Sequence, residues 1–265
     1  MYSPFQLAVK YLKYYTRASN SKGHGVHSPF VFDFIKLIKN DRENYPAYKA
    51  IEPLRAKLLA DENFILVEDF GAGSTVLKTN KRQVSRMAAS SLKPKKFAQL
   101  LFRMVKYYQP ASILELGTSF GITTAYLATA NPAAKVHTLE GAIDVARRAN
   151  ENFIALGLTN IRIWSGRFLT TLPQVLSVQD KFDFVFVDGN HRKIPTLEYF
   201  QLLLQHSHDQ TIIVFDDIHW SEEMEEAWAA IIAHEAVTLS IDLFFIGIVF
   251  LRKEFKVKQQ FSIRF

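Results

Sequence analysis

Residues 112–121 read Ser112-Ile-Leu-Glu-Leu-Gly-Thr-Ser-Phe-Gly121, an apolar run that leads directly into two glycines. The run Ser112–Leu116 has the composition of a buried strand, and a helical pattern begins just after Gly121. Glycines at a strand-to-helix turn permit positive φ and let a ligand approach the backbone. The first turn of the helix adds unpaired N–H groups. This segment therefore predicts a strand, a ligand-binding loop and a helix.

Strand and helix patterns alternate on both sides of this loop, from about residue 93 to the C-terminus. Such alternation with short connections predicts a parallel sheet covered by helices. The last two strand-like runs are almost contiguous and predict a closing antiparallel hairpin. The sequence thus predicts a doubly wound, Rossmann-like and mostly parallel seven-stranded α/β sheet, with strands at 112–116, 135–139, 161–164, 182–187, 211–215, 237–242 and 245–251.

The first part of the chain has a different pattern. It predicts three short helices, near 5–15, after Pro29 and near 48–59, which would form an N-terminal helical cap. We therefore divide the chain into a cap at 1–92 and a core domain at 93–265. A second glycine loop, Asp69-Phe-Gly71-Ala-Gly73, follows an apolar run. Because no second strand with a terminal acid follows it, we interpret it as a turn in the cap.

The amino-acid composition excludes several classes of protein. The 265 residues include no cysteine, which excludes disulfides and thiol catalysis and fits a cytoplasmic protein. No apolar run approaches the roughly 20 residues of a membrane span. The net charge is +6, and all charged residues between Asp69 and Glu115 are basic. That stretch is either a solvated helix face, which we favour, or a surface for an anionic partner.

The spacing of the glycines separates two kinds of cofactor. A dinucleotide loop needs glycine at its first, third and sixth positions. Counted from Gly117, the later two positions hold Ser119 and Ile122. A dinucleotide-binding loop is therefore not predicted, which leaves a dehydrogenase as a distant alternative.

Two glycines four residues apart, with Glu115 two residues before the first, resemble the loop of class I S-adenosylmethionine-dependent methyltransferases. From about Pro94 onward, the order of elements resembles the O-methyltransferase branch related to catechol O-methyltransferase. This likeness covers about two thirds of the chain. The segment His24-Gly-Val-His27-Ser-Pro-Phe and the terminal Ile263-Arg-Phe265 are similar to bacterial members of the same superfamily.

The resemblance implies S-adenosylmethionine as the cofactor and assigns residues to it. Glu115 would help to fix its amino-acid end, and the loop would allow its close approach. Glu140, at the end of the second strand, would accept the two ribose hydroxyls, as an acid does in dinucleotide folds. The adenine would lie near Gly166 and Arg167. The full set of predicted cofactor residues is Glu115, Gly117, Thr118, Ser119, Gly121, Glu140, Gly141, Gly166, Arg167 and Asp188.

Methyl transfer to oxygen requires alignment of the reacting atoms and loss of a proton from the acceptor. Metal-dependent relatives hold a divalent ion that lowers the pKa of the bound hydroxyl. By resemblance, its ligands here would be Asp188 after the fourth strand and the pair Asp216-Asp217 after the fifth. Oxygen ligands suit Mg²⁺, so Mg²⁺ is one candidate.

The sequence departs from those relatives at His191, where they carry a lysine. His191 is therefore an alternative candidate, as a general base, because histidine titrates close to physiological pH. The predicted catalytic residues are Asp188, His191 and Asp217. His219 is a second candidate base, and His24 and His27 lie in a loop that nothing in the sequence connects to the site.

The favoured function is methylation of a small-molecule acceptor. A nucleic-acid methyltransferase is an alternative prompted by the basic stretch. However, amino methylation of bases usually goes with an Asn/Asp-Pro-Pro-aromatic motif, and that place reads Asp188-Gly-Asn-His191. Nucleic acid is therefore not the expected partner. A nonenzymatic domain that binds a cofactor or a partner is the third hypothesis. Aromatic residues in 5–15 permit a homodimer without requiring one.

Overall fold

The computed structural model describes residues 1–19, 27–69 and 78–265. His24 and the glycine loop that continues through Gly71 lie outside the described residues. By its internal contacts the chain divides into two units, one made of residues 1–41 with 181–265 and the other of residues 42–180. The division predicted at residue 93 falls inside the second unit and stays a prediction.

Helices make up about half of the described elements. Within the described residues, no helix has both the length and the apolar character needed to cross a bilayer. A π-helical segment, Phe34–Lys39, continues directly from the second helix. The α-helices are α1 Pro4–Arg17, α2 Pro29–Asp33, α3 Pro46–Leu59, α4 Val84–Ser91, α5 Lys95–Tyr108, α6 Ile122–Ala130, α7 Ile143–Ala155, α8 Phe168–Val178, α9 Lys193–Gln205 and α10 Glu222–Ala233.

The strands are short and alternate with these helices over most of the chain. They are β1 Phe64–Asp69, β2 Lys78–Gln83, β3 Ser112–Leu116, β4 Lys135–Glu140, β5 Ile161–Ser165, β6 Phe184–Val187, β7 Ile212–Asp216, β8 Leu239–Asp242, β9 Ile246–Phe250 and β10 Gln259–Ser262. The alternation predicted from the sequence is confirmed in both units.

In the unit of residues 42–180, β3, β4 and β5 pair in that order and are all parallel. The register sets Glu115 beside Thr138 and Glu140 beside Ser165. Every residue of β3 is buried, as expected for a parallel strand covered on both faces. Glu115, the penultimate residue of this strand, is therefore buried inside the protein.

In the other unit the strand order is β10-β8-β9-β7-β6. The strands β6 and β7 are parallel, and β9 runs antiparallel to both β7 and β8. The predicted mostly parallel class with a closing hairpin is thus confirmed. The predicted count of seven strands was too low. Apart from the separate β1–β2 pair, the described residues contain eight strands, and β10 is the one that was not predicted. Its residues Gln-Gln-Phe-Ser lack the apolar pattern by which a strand can be predicted.

The region before residue 92 holds more than the three predicted helices. An antiparallel pair, β1 and β2, joins Phe64 to Gln83 in register, and α4 follows at once. The run Phe64–Val67 indicated a strand, but β2 has no apolar residue at all. Its pairing depends on backbone hydrogen bonds to β1, which leave no signal in the sequence.

Candidate active site

The loop between β3 and α6 has the backbone that its glycines predict. Gly117 and Gly121 have φ of 106° and 82°, and Ser119 between them has 48°. The N–H of Gly117 donates to the carbonyl of Leu139 at 3.0 Å, which ties the loop to the end of β4. The amide of Asn152 on α7 donates to the carbonyl of Phe120 at 2.9 Å. The loop is therefore fixed from two sides.

Glu115 supports this loop from inside the unit. Its side chain is completely buried, and one of its carboxylate oxygens accepts hydrogen bonds from two threonine hydroxyls. Thr138 donates at 2.7 Å, and Thr124 donates to the same oxygen. The hydroxyl of Thr138 also lies 2.6 Å from that of Thr118 in the loop. A direct role of Glu115 at the amino-acid end of a cofactor remains a proposal.

Glu140 ends β4 and faces the same loop. One carboxylate oxygen accepts the Ser119 N–H at 2.8 Å, and the other accepts the Ala142 N–H at 3.0 Å. Burial raises the pKa of Glu140, while hydrogen bonds from Ala142, Ser119 and Gly141 act in the opposite direction. The predicted ribose-binding acid and the predicted glycine loop are thus in direct contact.

The third predicted cofactor segment, after β5, also reaches Glu140. The N–H of Gly166 donates to the main-chain carbonyl of Glu140 at 2.8 Å, and Gly166 has φ of 132°. Arg167 precedes α8, and its carbonyl accepts from the N–H of Thr171 at 2.9 Å. Its side chain is exposed. The ends of β3, β4 and β5 therefore carry the residues that the sequence assigned to one ligand, apart from Asp188, which follows β6 in the other unit.

Gly121 is needed for packing as well as for its backbone conformation. A Cβ at this position would lie 2.4 Å from Cε1 of Phe153 on α7. Gly157 also has positive φ, but a Cβ there meets nothing within 4 Å. A comparison of alanine substitutions at Gly121 and Gly157 can therefore separate the effect of steric overlap from that of backbone strain.

We therefore expect Gly121→Ala to destabilise the protein by about 2–5 kcal/mol, because strain and overpacking add. Gly157→Ala should cost only about 1–2 kcal/mol, the strain alone. Urea unfolding of both variants measures the difference. Equal losses in the free energy of unfolding would show that Phe153 moves aside without an energetic cost.

A second group of predicted residues lies in the other unit, at the ends of β6 and β7. Ligand atoms of Asp188, His191 and Asp216 all lie within 4.8 Å of one another. His191 Nε2 is 3.6 Å from an Asp188 carboxylate oxygen. Asp216 is only 2% exposed, whereas Asp188 and His191 are partly exposed. Two carboxylates at such a separation repel each other unless a proton or a cation lies between them.

Asp217 follows Asp216 but is not in this group of described residues. Its N–H donates to the carbonyl of Phe245 at 2.6 Å, and its φ is 54°. Asn190 and His191 also have positive φ, 68° and 37°. Non-glycine residues in this conformation carry backbone strain that the surrounding structure must compensate. The structure therefore brings together Asp188, Asp216 and His191, and not the three aspartates predicted from the sequence.

The chemistry of this donor set fits a divalent cation. Two carboxylates supply negative charge, and an imidazole nitrogen can complete a three-point site. A bound cation would remove the repulsion between Asp188 and Asp216, and it would favour the ionised form of a hydroxyl bound beside it.

His219 has a structural environment that differs from that of a general base. Nδ1 lies 3.0 Å from Glu225, and Nε2 lies 2.9 Å from Asp242. Burial alone would lower the pKa of His219, but hydrogen bonds and charge from Asp242 and Glu225 outweigh it, so the pKa is raised. Both nitrogens therefore act as donors. Glu225 also binds Lys10 at 2.8 Å and the Tyr2 hydroxyl at 2.8 Å, which connects His219 to α1.

The raised pKa predicts a pH-dependent stability. The contribution of His219 is complete below its unfolded pKa, about 6.5, and is lost as the pH rises through the higher folded value. Wild type should be more stable than His219→Gln near about pH 6, and the gap should shrink towards about pH 9. Urea unfolding of both proteins across this range measures the gap. The pKa of Lys10 is raised and that of Glu225 is lowered by their contact, so both groups keep their charge across this range. A gap that widens with pH would contradict the assignment.

Known proteins resemble this chain in sequence. Residues 114–218 match the family model described as "Methyltransferase domain". A catechol O-methyltransferase from Niastella koreensis is 37% identical over 145 residues, which cover 53% of this chain and 63% of that protein. The match thus spans less than two thirds of the relative's length.

Solved structures have the same fold. An O-methyltransferase from Bacillus cereus in complex with SAH has a TM-score of 0.56 and 20% identity, over 81% of this chain and 95% of that one. An SAH-bound methyltransferase from Podospora anserina has a TM-score of 0.60 and 14% identity, over 85% and 97%. The fold is that of the Rossmann-like methyltransferases. The family match is confined to residues 114–218, and the likeness to solved structures shows that the shared fold extends over most of the chain.

Proposed function

We propose that this protein transfers a methyl group from S-adenosylmethionine to a hydroxyl oxygen of a small molecule. The observation that carries the proposal is the contact between the glycine loop and Glu140, in which the Ser119 N–H lies 2.8 Å from the carboxylate. It joins the two features that a nucleoside ligand needs, an open backbone and an acid for the ribose. The names of the relatives support the same reaction and cofactor.

The proposal assigns cofactor binding to the unit of residues 42–180. The backbone at Gly117, Thr118 and Ser119 would face the cofactor, and Glu140 would accept the ribose hydroxyls. Segments 140–141 and 166–167 would flank the adenine. Glu115 is placed to hold the loop, since its carboxylate is buried and bonded to threonines.

Acceptor activation is assigned to Asp188, His191 and Asp216, with Asp217 as an adjacent carboxylate. In one version a divalent metal held by the aspartates, such as Mg²⁺, supplies the charge that favours an ionised acceptor. In the other version His191 accepts the proton, with Asp188 orienting its ring.

Calorimetry with S-adenosylhomocysteine and with NAD tests the cofactor. We expect binding of S-adenosylhomocysteine and none of NAD; binding of NAD alone would overturn the proposal. A turnover screen with phenols, sugars and carboxylic acids then identifies the acceptor. Methyl transfer to none of these classes would remove the small-molecule assignment.

Two properties of the whole protein are also proposed. A cytoplasmic location is supported by the absence of cysteine from the sequence. A homodimer is supported by apolar side chains on the outer face of α1, where Phe5 and Leu12 are exposed. Sedimentation of wild type and a Phe5→Ser, Leu12→Ser variant tests the dimer, since only a dimer through this face would dissociate in the variant.

A further inference from the structure

The group at the ends of β6 and β7 contains an imidazole that the resemblance to metal-dependent relatives did not assign to a metal site. Asp188 follows β6, His191 lies three residues further on, and Asp216 ends β7. Their ligand atoms lie within 4.8 Å of one another, close to the spacing of ligands around one ion. Among the described residues, this group includes His191 and excludes Asp217.

The nature of the donors decides which ions such a group prefers. Mg²⁺ requires oxygen ligands in a near-ideal octahedron and keeps several waters. Imidazole nitrogen suits first-row transition ions, whose affinity for mixed nitrogen and oxygen sites rises from Mn²⁺ through Co²⁺. Two carboxylates and one imidazole are therefore a better match for Mn²⁺, Co²⁺ or Zn²⁺ than for Mg²⁺.

We propose that His191 is a metal ligand, and that with Asp188 and Asp216 it forms a site that selects a transition-metal ion over Mg²⁺. The catalytic use of this site rests on the proposed methyltransferase function, but binding of the ion does not. The proposal also changes the role of His191. A ring nitrogen bound to a metal ion cannot accept a proton, so this nitrogen would not be the general base.

The test compares metal affinities of chelator-treated protein by calorimetry, without substrate. Wild type should bind Mn²⁺ at least tenfold more tightly than Mg²⁺. His191→Asn replaces nitrogen with an amide oxygen and should weaken Mn²⁺ binding by about 10-fold or more, with little change for Mg²⁺. Asp216→Asn should weaken both ions. The Co²⁺ form should show a visible absorption band that changes in His191→Asn.

A matched control is His208→Asn, because His208 also lies beside a carboxylate, with Nε2 2.8 Å from Asp183, but is outside the group. This variant should bind Mn²⁺ like wild type. Equal Mn²⁺ affinity in wild type and His191→Asn, or no Mn²⁺ binding by wild type, would overturn the proposal. Binding of S-adenosylhomocysteine, measured on the same samples, reports the proposed function separately, so either can fail while the other stands.

Discussion

Replacement of Glu140 by alanine should weaken binding of S-adenosylhomocysteine by about 10- to 100-fold, the value of one or two charge-assisted hydrogen bonds. The carboxylate now accepts the N–H groups of Ser119 and Ala142 on its two oxygens. Lone pairs that remain on each oxygen could accept ribose hydroxyls. The variant loses the proposed ribose contacts and also a support of the loop, so affinity alone cannot separate the two effects.

A deoxyribose analogue of the ligand separates them. Wild type should bind S-adenosylhomocysteine more tightly than its 2′-deoxy analogue, whereas Glu140→Ala should bind both equally, because the partner of the hydroxyl is gone. If the variant discriminates as well as wild type does, Glu140 only supports the loop. Asp144→Asn is a suitable control, since Asp144 is a nearby carboxylate at the start of α7 that pairs with Arg147. It should leave both affinities unchanged.

Features set by neighbours in sequence could be predicted. The strand, the glycine turn and the helix after it lie within one short segment, and local backbone requirements determine them. Ser221 precedes two glutamates, a local pattern that favours a helix N-cap, and its hydroxyl accepts the Met224 N–H at 3.2 Å. The positions of Glu140 and Gly166 followed from the rule that ligands bind at the carboxyl ends of parallel strands.

Features that depend on the pairing of strands across the sheet could not be predicted from the sequence. The threonines that bind Glu115 come from a neighbouring strand and a helix, and only the register of β3 on β4 brings Thr138 beside it. A threonine in a strand has no distinctive signal in one sequence. Pro173 lies inside α8, where a proline disfavours a helix, yet the helix continues to Val178. Burial of Leu172, Val175 and Leu176 offsets the lost hydrogen bond.

The cluster of Asp188, His191 and Asp216 is a second feature that the sequence alone could not predict. The resemblance to metal-dependent relatives assigned both Asp216 and Asp217 as ligands, yet adjacent residues at a strand end point in different directions. His191 was noticed as a departure from related enzymes. Its approach to Asp188 and Asp216 depends on two consecutive residues with positive φ, Asn190 and His191. Asn and His adopt this conformation more often than other non-glycine residues, but too rarely for the sequence to predict it here.

Replacement of Asp216 by asparagine should lower kcat by about 10²- to 10⁴-fold and leave the affinity for S-adenosylhomocysteine unchanged. The substitution keeps the shape of the side chain but removes a charged carboxylate that can accept the proton of the acceptor, or hold a metal ion that favours the ionised acceptor. Asp216 is almost wholly buried, so solvent screens this charge little. Asp183→Asn is the control, because it removes a carboxylate that pairs with His208 in the same unit and should retain activity.

The dependence of kcat on the pKa of the acceptor tests whether Asp216 assists removal of the proton from the acceptor hydroxyl. If Asp216 assists ionisation of the acceptor hydroxyl, the loss in Asp216→Asn should be largest for weakly acidic phenols and smaller for nitrophenols, which ionise unaided. A plot of log kcat against acceptor pKa for wild type and variant measures this. Parallel lines would mean that Asp216 only positions the acceptor. Lines that converge for the acidic phenols would show that the buried carboxylate, or the ion it holds, lowers the cost of removing the proton.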